Sequence, residues 1–496
     1  MGNPTLTEDA GCDWPARFGS WAERSPETRT LCRTERRIPW RLRPPTIADV
    51  GDVLREAVRN RTPLFPISRG RNWGYGSHVP FQDGSIVLDL GGLDAIGDLD
   101  RDSLSVRIEP GVTQAELHEY LRAHAPDLAF NVTGAGNDTS VLGNALDRGM
   151  GYGGEKDNDV YAIEALLADG SSVGPRPGRN HRSRQQPAGF STDELFFQSN
   201  LGIVVGARLR LRVRQQAEDA VILQGPLEAM IATLKRAYEQ HLVTRPTHIA
   251  EPGRIRRVGF GLLRSLWGRD PTPKEVARCF PENGTYSGLV PLHGRRMVVD
   301  AAWEELKAIA APGVKLQRVN ASKLDFAATW LARVGARHLA DRIRAMRPIL
   351  ALTWGVPSDA GLTALEGYGG GDPDLAGRGA IYGNAVSSLD WAEGGRAMGI
   401  VKEHWSDCAF TWILVDSACM LTIYTLHFDD SEAADVHRAN AGIIGNLRSA
   451  GLPQYRLDIN TPAAPGAEGV VRRLKAAFDP LGLIAPGRYE SRCADA

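Results

Sequence analysis

The chain has little cysteine: six residues among 496, scattered along the sequence and with no C-x-x-C pair. Closely spaced cysteines are typical of disulfide-rich secreted domains and of zinc sites, and that pattern is missing. The 11 histidines also lack a metal-ligand spacing such as H-E-x-x-H. The sequence therefore predicts unpaired thiols in a reduced, cytoplasmic setting and no metal centre.

The chain also lacks an excess of charge and any long apolar run. Its 58 basic and 59 acidic residues give a net charge of −1, which argues against a general nucleic-acid binder. No apolar run approaches the ~20 residues that cross a bilayer. Residues 1–17 lack the basic start and apolar stretch of a secretory signal. We therefore expect a small-molecule substrate and no nucleic-acid or membrane partner.

The length of the chain predicts two domains, because 496 residues exceed what one compact core holds. Residues 1–40 are expected to form an irregular, Arg-rich arm. A polar stretch over residues 214–219 predicts a boundary, with one domain over residues 41–215 and another over residues 216–450. Residues 451–496 form a separate C-terminal segment.

Periodicity predicts mixed helices and strands, an α+β chain. Thr113 and Glu116 form a capping box, and Asp169-Gly170 predicts a hairpin turn. The predicted helices cover residues 46–60, 113–124, 431–449 and 467–478. The predicted strands cover residues 64–68, 85–90, 104–109, 160–168, 202–213, 409–415 and 420–428.

The richest local signal is the segment P-I-S-R-G-R-N-W-G-Y-G-S over residues 66–77, which follows the apolar residues 64–67. Glycine adopts positive φ without steric cost, so such a turn can point successive N–H groups inward. Groups arranged in this way form a nest that holds phosphate.

Three further segments carry glycine or proline in distinctive patterns. Residues 133–154 read T-G-A-G-N-D-T-S-V-L-G-N-A-L-D-R-G-M-G-Y-G-G, which is not a Rossmann fingerprint because Thr139 occupies the place of its third glycine. Residues 196–204 read F-F-Q-S-N-L-G-I-V, and residues 479–488 read D-P-L-G-L-I-A-P-G-R. Taken singly, these segments also fit ordinary turns, a helix end and a core strand.

Together and in this order, the four segments resemble those of the FAD-linked oxidases of the vanillyl-alcohol oxidase and p-cresol methylhydroxylase family. The resemblance covers most of residues 45–215 and 450–490 and is weaker between them, where G-V-P-S-D over residues 355–359 is the clearest match. It implies a two-domain FAD-binding fold: residues 41–215 bind FAD, residues 216–450 cap the substrate, and residues 451–496 return to the FAD domain. Family members are often dimers, so a homodimer is possible.

The resemblance also implies which residues bind FAD. They lie in both glycine segments, in the third segment and near the C-terminus: Pro66, Ser68, Arg69, Gly70, Arg71, Asn72, Gly74, Tyr75, Gly76, Thr133, Gly134, Gly136, Ser140, Val141, Gly143, Asn144, Gly149, Gly151, Tyr152, Gly202, Ile203, Val204, Arg456 and Arg488.

Oxidases of 4-alkylphenols in this family bind the substrate as a phenolate with two tyrosines and an arginine, which match Tyr75, Tyr455 and Arg456. A permanently charged guanidinium favours the phenolate over the phenol. The ionised oxygen then eases hydride loss from the benzylic carbon to flavin N5 and leaves a quinone methide. Alternatively, Tyr75 only packs on the isoalloxazine, and the other two residues only contact the flavin edge.

An acidic residue near flavin N5 is also typical of the family, and Asp157 matches best. The sequence departs from the pattern here, because the loop lacks the usual T-P-Y run. Glu155 or Asp159 are alternatives for this role, and a solvated acidic loop without catalytic function stays open.

The two common points of covalent FAD attachment lack histidine. Asn72 occupies the first, in the first glycine segment, and the run from Cys419 to Thr422 matches the second. The resemblance therefore predicts non-covalent FAD. His78, Tyr424 and His427 are the remaining candidates for a covalent bond.

The resulting hypothesis is an FAD-dependent oxidoreductase that takes a hydride from a small, para-substituted phenol, with O₂ or another acceptor reoxidising the flavin. The main alternative is FAD-dependent oxidation of a non-phenolic alcohol, amine or hydroxy acid in secondary metabolism, because one fold supports many chemistries. A non-catalytic, FAD-stabilised partner protein is the third possibility.

Overall fold

The structure is a computed structural model that describes residues 12–25, 29–174, 191–281, 284–365, 368, 370–464, 466 and 468–490. Cys493 and the first eleven residues of the N-terminal arm lie outside the described residues. Helices and strands are interspersed along the chain, and the α+β class is confirmed.

Part of the N-terminal arm contains regular structure, so the prediction of an irregular segment was wrong for residues 14–24, whereas residues 29–39 form no helix or strand. Helix α1 covers Trp14–Phe18, and strand β1 covers Ala22–Arg24. The Asp13 side chain caps α1 by accepting a hydrogen bond from Ala16 N at 3.1 Å. Trp14 and Phe18 are both buried, and this aromatic anchor orders the segment.

Two larger sheets and two short pairs form within residues 22–213. In the first sheet the order is β1-β2-β4-β3, with β2 (Trp40–Leu42), β3 (Leu64–Ile67) and β4 (Ile86–Asp89). In the second, the order is β11-β10-β12-β6-β5, with β5 (Ile96–Asp100), β6 (Ser105–Ile108), β10 (Val160–Leu166), β11 (Ser172–Val173) and β12 (Ile203–Arg210). The short pairs are β7 (Leu128–Ala129) with β13 (Arg212–Val213), and β8 (Met150–Gly151) with β9 (Gly154–Glu155).

A seven-stranded antiparallel sheet follows, with the order β17-β14-β16-β15-β19-β20-β18. Its strands are β14 (Ala217–Gly225), β15 (Thr247–Ala250), β16 (Tyr286–Gly294), β17 (Lys315–Val319), β18 (Gly379–Ser388), β19 (Cys408–Leu414) and β20 (Cys419–Phe428). Because β13 ends at Val213 and β14 begins at Ala217, we propose that the domain boundary lies between residues 215 and 216, as predicted.

The helices lie between and around these strands. After α1 they are α2 (Ile47–Asn60), α3 (Gln114–His124), α4 (Val141–Leu146), α5 (Leu227–Glu239), α6 (Pro252–Trp267), α7 (Pro273–Cys279), α8 (Arg296–Ile309), α9 (Ala321–Arg333), α10 (Arg337–Leu352), α11 (Trp391–His404), α12 (Ala433–Ser449) and α13 (Glu468–Phe478). The predicted capping box at Thr113 is present and starts α3.

The seven-stranded sheet uses its two faces differently, because successive side chains of a strand point to opposite sides. On β19, Phe410, Trp412 and Leu414 enter a hydrophobic core with residues of α5, α11 and α12. Thr411 and Ile413 point the other way and line a cavity. One face of the sheet therefore packs into the hydrophobic core, and the other face lines the cavity.

The C-terminal segment returns to the first sheet. Leu64 on β3 accepts a hydrogen bond from Ala485 N at 2.7 Å, and Leu64 N donates to Leu483 O at 2.8 Å. Arg488 then donates to the carbonyl oxygen of Asp458 at 2.8 Å. These bonds bring residues 483–489 beside the first glycine segment.

Candidate active site

The first glycine segment forms a tight loop directly after β3. Gly74 has a φ of +74°, and a side chain there would collide with the ring of Tyr382 on β18. Glycine tolerates both conditions without strain. A backbone hydrogen bond from Tyr75 N to Asn72 O, 3.0 Å long, closes the turn.

The second glycine segment starts α4 and contacts the first loop. Ser140 caps this helix by accepting a hydrogen bond from Gly143 N at 2.9 Å. A side chain at Gly143 would collide with the hydroxyl of Ser68 in the first loop. The absence of a side chain therefore lets two distant parts of the chain form one wall.

A cavity of about 210 Å³ lies along this wall, and we call it the small cavity. The predicted cofactor residues that line it are Pro66, residues 68–72, Tyr75, Gly76, Ser140, Gly143, Asn144, Gly202, Val204, Arg456 and Arg488. Residues 196, 198–200 and 484–485 also line it, so the third and fourth sequence segments meet the two glycine segments here.

A second cavity of about 860 Å³, the large cavity, opens between the loops and the seven-stranded sheet. Thr133, Gly134 and Tyr152 line it from the second glycine segment. The remaining predicted cofactor residues line neither cavity: Gly74, Gly136, Val141, Gly149, Gly151 and Ile203.

The two cavities share a set of lining residues that we call the junction: Arg71, Asn72, Tyr75, Asn144 and Arg456. Within the described residues, the buried Oδ1 of Asn144 has no hydrogen-bond partner. A buried polar atom without a partner is costly, so the junction suits a ligand that supplies a donor. FAD has such donors, and its elongated shape suits two connected cavities.

Arg456 is the best-anchored residue of the junction. Its Nε donates to Asp147 Oδ2 at 2.7 Å, and its Nη2 donates to Asn72 Oδ1 at 2.7 Å. Its guanidinium lies 4.6 Å from the centre of the Tyr75 ring. Burial lowers the pKa of Arg456, but Asp147 and the nearby Tyr75 and Tyr455 outweigh burial and raise that pKa above its usual value. The guanidinium is thus a fixed, permanent positive charge.

Tyr75 and Tyr455 carry hydroxyls that stay protonated at neutral pH. Burial raises the pKa of Tyr75, and the influence of Arg456 in the opposite direction is smaller. Burial likewise raises the pKa of Tyr455. Tyr75 lines both cavities, whereas Tyr455 lines neither and is held by Asn384, whose Oδ1 accepts from Tyr455 N at 2.9 Å.

The three acidic candidates for a role near the flavin line neither cavity. Asp157 lies 3.8 Å from Arg148 Nε, and Asp159 accepts a hydrogen bond from Asn131 Nδ2 at 3.0 Å. Glu155 accepts from Asn158. The β8–β9 hairpin reverses the chain after Gly151 and leads into this acidic loop.

Asp147 is a functional candidate that the sequence reasoning missed. It accepts hydrogen bonds from Arg456, from the Tyr489 hydroxyl and from Asn72 Nδ2 (3.2 Å), and its Oδ1 lies 3.8 Å from Arg488. It thus joins the second glycine segment to the C-terminal segment. The available signal was a lone acid directly after the apolar turn of α4.

The residues considered for covalent attachment of FAD do not reach the cavities. His78 lies beside Asp374, with 3.7 Å between Nδ1 and Oδ2. Tyr424 is fully buried and bonds Asn440, and His427 is also buried. All three are absent from the linings of both cavities. Asn72 does line them and holds Arg456.

The large cavity has a strongly cationic lining. Seven basic side chains line it, and no aspartate or glutamate does so within the described part of the chain. The basic residues are Arg71, Arg254, Arg256, Arg318, Lys323, Arg342 and Arg456.

A metal site and a membrane-spanning helix are both absent from the residues that the structure describes. No group of histidine, cysteine and acidic side chains there is arranged to hold a metal ion. No helix among those residues is long and apolar enough to cross a membrane.

Comparisons with known proteins agree with this geometry. The family described as "FAD binding domain" matches residues 40–173. A 1'-carboxy-chondrochloren decarboxylase from Chondromyces crocatus is 30% identical, over 95% of this chain and 94% of its own. The flavoprotein subunit of a 4-cresol dehydrogenase (hydroxylating) from Pseudomonas putida is 23% identical, over 89% and 86%.

Among solved structures, p-cresol methylhydroxylase with substrate bound superposes with a TM-score of 0.79, at 20% identity, over 97% of this chain and 96% of the other. This structural similarity confirms the two-domain fold. The similarity in sequence to the C. crocatus protein covers 95% of this chain. The chain is therefore an FAD-dependent oxidoreductase that belongs to the FAD-linked oxidase family of vanillyl-alcohol oxidase and p-cresol methylhydroxylase.

Proposed function

We propose that the protein oxidises a small, para-substituted phenol with FAD. The observation that carries the proposal is the position of Arg456 at the junction, where Asp147 and Asn72 fix its guanidinium beside the Tyr75 ring. A charged, planar donor at this position suits an ionised oxygen on a flat aromatic substrate.

The small cavity and the junction would hold the cofactor. The first loop would offer backbone N–H groups to the diphosphate, and the junction would receive the flavin ring. When bound, FAD supplies an acceptor for a hydride. We propose that it is held without a covalent bond, since the histidines and the tyrosine considered for attachment line neither cavity.

The site's own residues would act on the phenol oxygen. A positive charge within hydrogen-bonding distance lowers the pKa of an acid by about 1–3 units, so Arg456 favours the phenolate. Tyr75 lines both cavities, and its hydroxyl remains protonated and donates to the same oxygen. Tyr455 lines neither cavity, so we assign it no hydrogen bond to the substrate. Electron density pushed from that oxygen to the para carbon weakens the benzylic C–H bond.

A phenol and its methyl ether test the proposal directly. The ether cannot ionise, and a site that bonds a hydroxyl strongly rejects an analogue without it. We expect 4-ethylphenol to bleach the flavin at least about 100-fold faster than 4-ethylanisole, measured anaerobically by stopped flow. Equal rates would overturn the phenolate and favour the non-phenolic alternative, an alcohol, amine or hydroxy acid.

A second candidate is oxidative decarboxylation, which the cationic large cavity and the decarboxylase from C. crocatus favour. In a 4-hydroxyphenyl substrate with a carboxylate on the second side-chain carbon, removal of the benzylic hydride leaves a quinone methide. Departure of CO₂ then leaves its bond pair behind, which forms the side-chain double bond and restores the phenolate ring.

We expect 3-(4-hydroxyphenyl)propanoate to yield 4-vinylphenol and CO₂ in equal amounts, one of each per flavin reduced. Liquid chromatography and a CO₂ assay measure both products after a single anaerobic turnover. A product that retains the carboxylate would exclude decarboxylation and leave phenol oxidation as the function.

Location and assembly stay predictions. The five cysteines within the described residues are all unpaired, which supports the predicted cytoplasmic setting. The homodimer suggested by the resemblance is to be checked by size-exclusion chromatography with light scattering.

A further inference from the structure

A polar cluster lies on the sheet wall of the large cavity. His248 on β15 and Thr411 on β19 both line the cavity from neighbouring strands. Tyr152 stacks on His248, with 4.2 Å between ring centres. Arg254, in the first turn of α6, lines the same cavity and acts electrostatically on Tyr152. We call these four residues the wall cluster.

Arg254 differs from three other arginines that line the cavity. Arg71 pairs with Asp138 and Asp372, Arg318 with Asp219 and Asp300, and Arg456 with Asp147. Within the described residues, Arg254 forms no ion pair, and its side-chain hydrogen bond is to the neutral Thr425 hydroxyl at 3.2 Å.

An acid that interacts electrostatically with Arg254 already has one of its oxygens engaged. Glu251, at the N-cap of α6, accepts a hydrogen bond from Phe410 N at 3.0 Å. Glu251 interacts electrostatically with Arg254, but its Oε1 accepts a hydrogen bond from the backbone of β19 and not from the guanidinium of Arg254. Arg254 therefore keeps donors for a ligand.

Two buried atoms of the wall cluster also lack partners. His248 Nδ1 and Thr411 Oγ1 are both buried and make no hydrogen bond among the residues described. Burying such groups without compensation is unfavourable, and each unsatisfied group in a native structure points to a missing partner. The Tyr152 hydroxyl adds a third donor, because burial raises the pKa of Tyr152 to about 12.

We propose that Arg254, with His248 and Thr411, binds a carboxylate of the substrate. The ligand would then be a para-substituted phenol whose side chain ends in a carboxylate, with its phenol oxygen at Arg456. One guanidinium and neutral donors match a single negative charge and a planar, two-oxygen acceptor. This inference rests on the proposed function. If the phenol oxygen binds at Arg456, the other end of the ligand, which carries the carboxylate, faces the wall cluster.

Binding of an inert pair of ligands tests the carboxylate site. 4-Hydroxycinnamate has no sp³ benzylic hydrogen to lose, and its methyl ester lacks the negative charge and carries one additional methyl group. We expect titration calorimetry on the holoenzyme to show the acid binding about 10-fold or more tightly than the ester. Arg254→Met should raise the Kd of the acid by about 10- to 100-fold, with a smaller effect on the ester, and Arg254→Lys should restore part of the loss.

Arg257→Met is the matched control, since it removes the same charge from the same helix. Arg257 faces Asp407 at 2.8 Å instead of the cavity, and Asp407 keeps its ion pair with Arg378. We expect this variant to bind the acid as the wild type does. Flavin content and melting temperature, measured on every variant, establish that each one is folded.

The outcomes separate the two proposals. A wild type that binds acid and ester equally, while it oxidises 4-ethylphenol, would overturn the carboxylate site and leave phenol oxidation standing. An equal loss of acid binding in Arg257→Met would also overturn it. Acid binding that depends on Arg254 in an enzyme that oxidises no phenol would overturn the proposed function instead.

Discussion

Replacing Arg456 with lysine lowers kcat/KM for 4-ethylphenol by about 100-fold or more, the size expected when one preorganised electrostatic donor is lost. Lysine keeps the positive charge but lacks the planar guanidinium, which donates hydrogen bonds to Asp147 and to Asn72 at the same time. Without both bonds the charge is no longer fixed beside the phenol oxygen. We expect the loss in kcat rather than in flavin content, because in our proposal the first loop binds the diphosphate of the cofactor independently of Arg456.

The measurement is anaerobic flavin reduction together with the ratio of flavin to protein. Arg448→Lys is the control: its Nε donates to Gln454 Oε1 at 2.8 Å, close to Tyr455 in sequence, but Arg448 lines neither cavity. We expect this control to retain the wild-type rate. Normal oxidation of 4-ethylphenol by Arg456→Lys would remove Arg456 from the mechanism.

The local features of the fold follow from the sequence because they depend on neighbouring residues. The capping box of Thr113 and Glu116 needs only a spacing of three, and it starts α3 as predicted. The turn at Asp169 and Gly170 connects β10 to β11, as the dipeptide indicates. The strand predicted over residues 409–415 is present as β19, Cys408–Leu414, because β-branched and aromatic residues favour a strand.

The assembled site depends on contacts between distant residues, which no local pattern records. Asp147 and Arg456 are separated by 309 positions, and the sequence identified only the arginine. The wall cluster requires that β15 lies beside β19, far later in the chain. Resemblance to a family identifies the residues that belong to its sequence pattern. The residues that hydrogen-bond to them can be identified only from the folded structure.

Asp147 explains how the C-terminal segment is joined to the junction. Asp147 is 8% exposed and interacts with Arg456, Arg488 and Tyr489, so folding of the last segment and placement of Arg456 depend on the same side chain. Removing one partner of a buried ion pair leaves the other charge uncompensated. Asp147→Ala would leave two guanidinium groups without their shared acid.

We therefore expect Asp147→Ala to reduce the free energy of unfolding by about 3 kcal/mol and to abolish most phenol oxidation. Asp147→Asn keeps the shape and one acceptor, so it should unfold at an intermediate temperature. Asp127→Ala removes an acid from an exposed pair with Arg101 and should leave the melting temperature unchanged. The melting temperature and the flavin content of the three variants test this prediction. Equal melting temperatures for Asp147→Ala and Asp127→Ala would show that the buried carboxylate of Asp147 does not stabilise the fold.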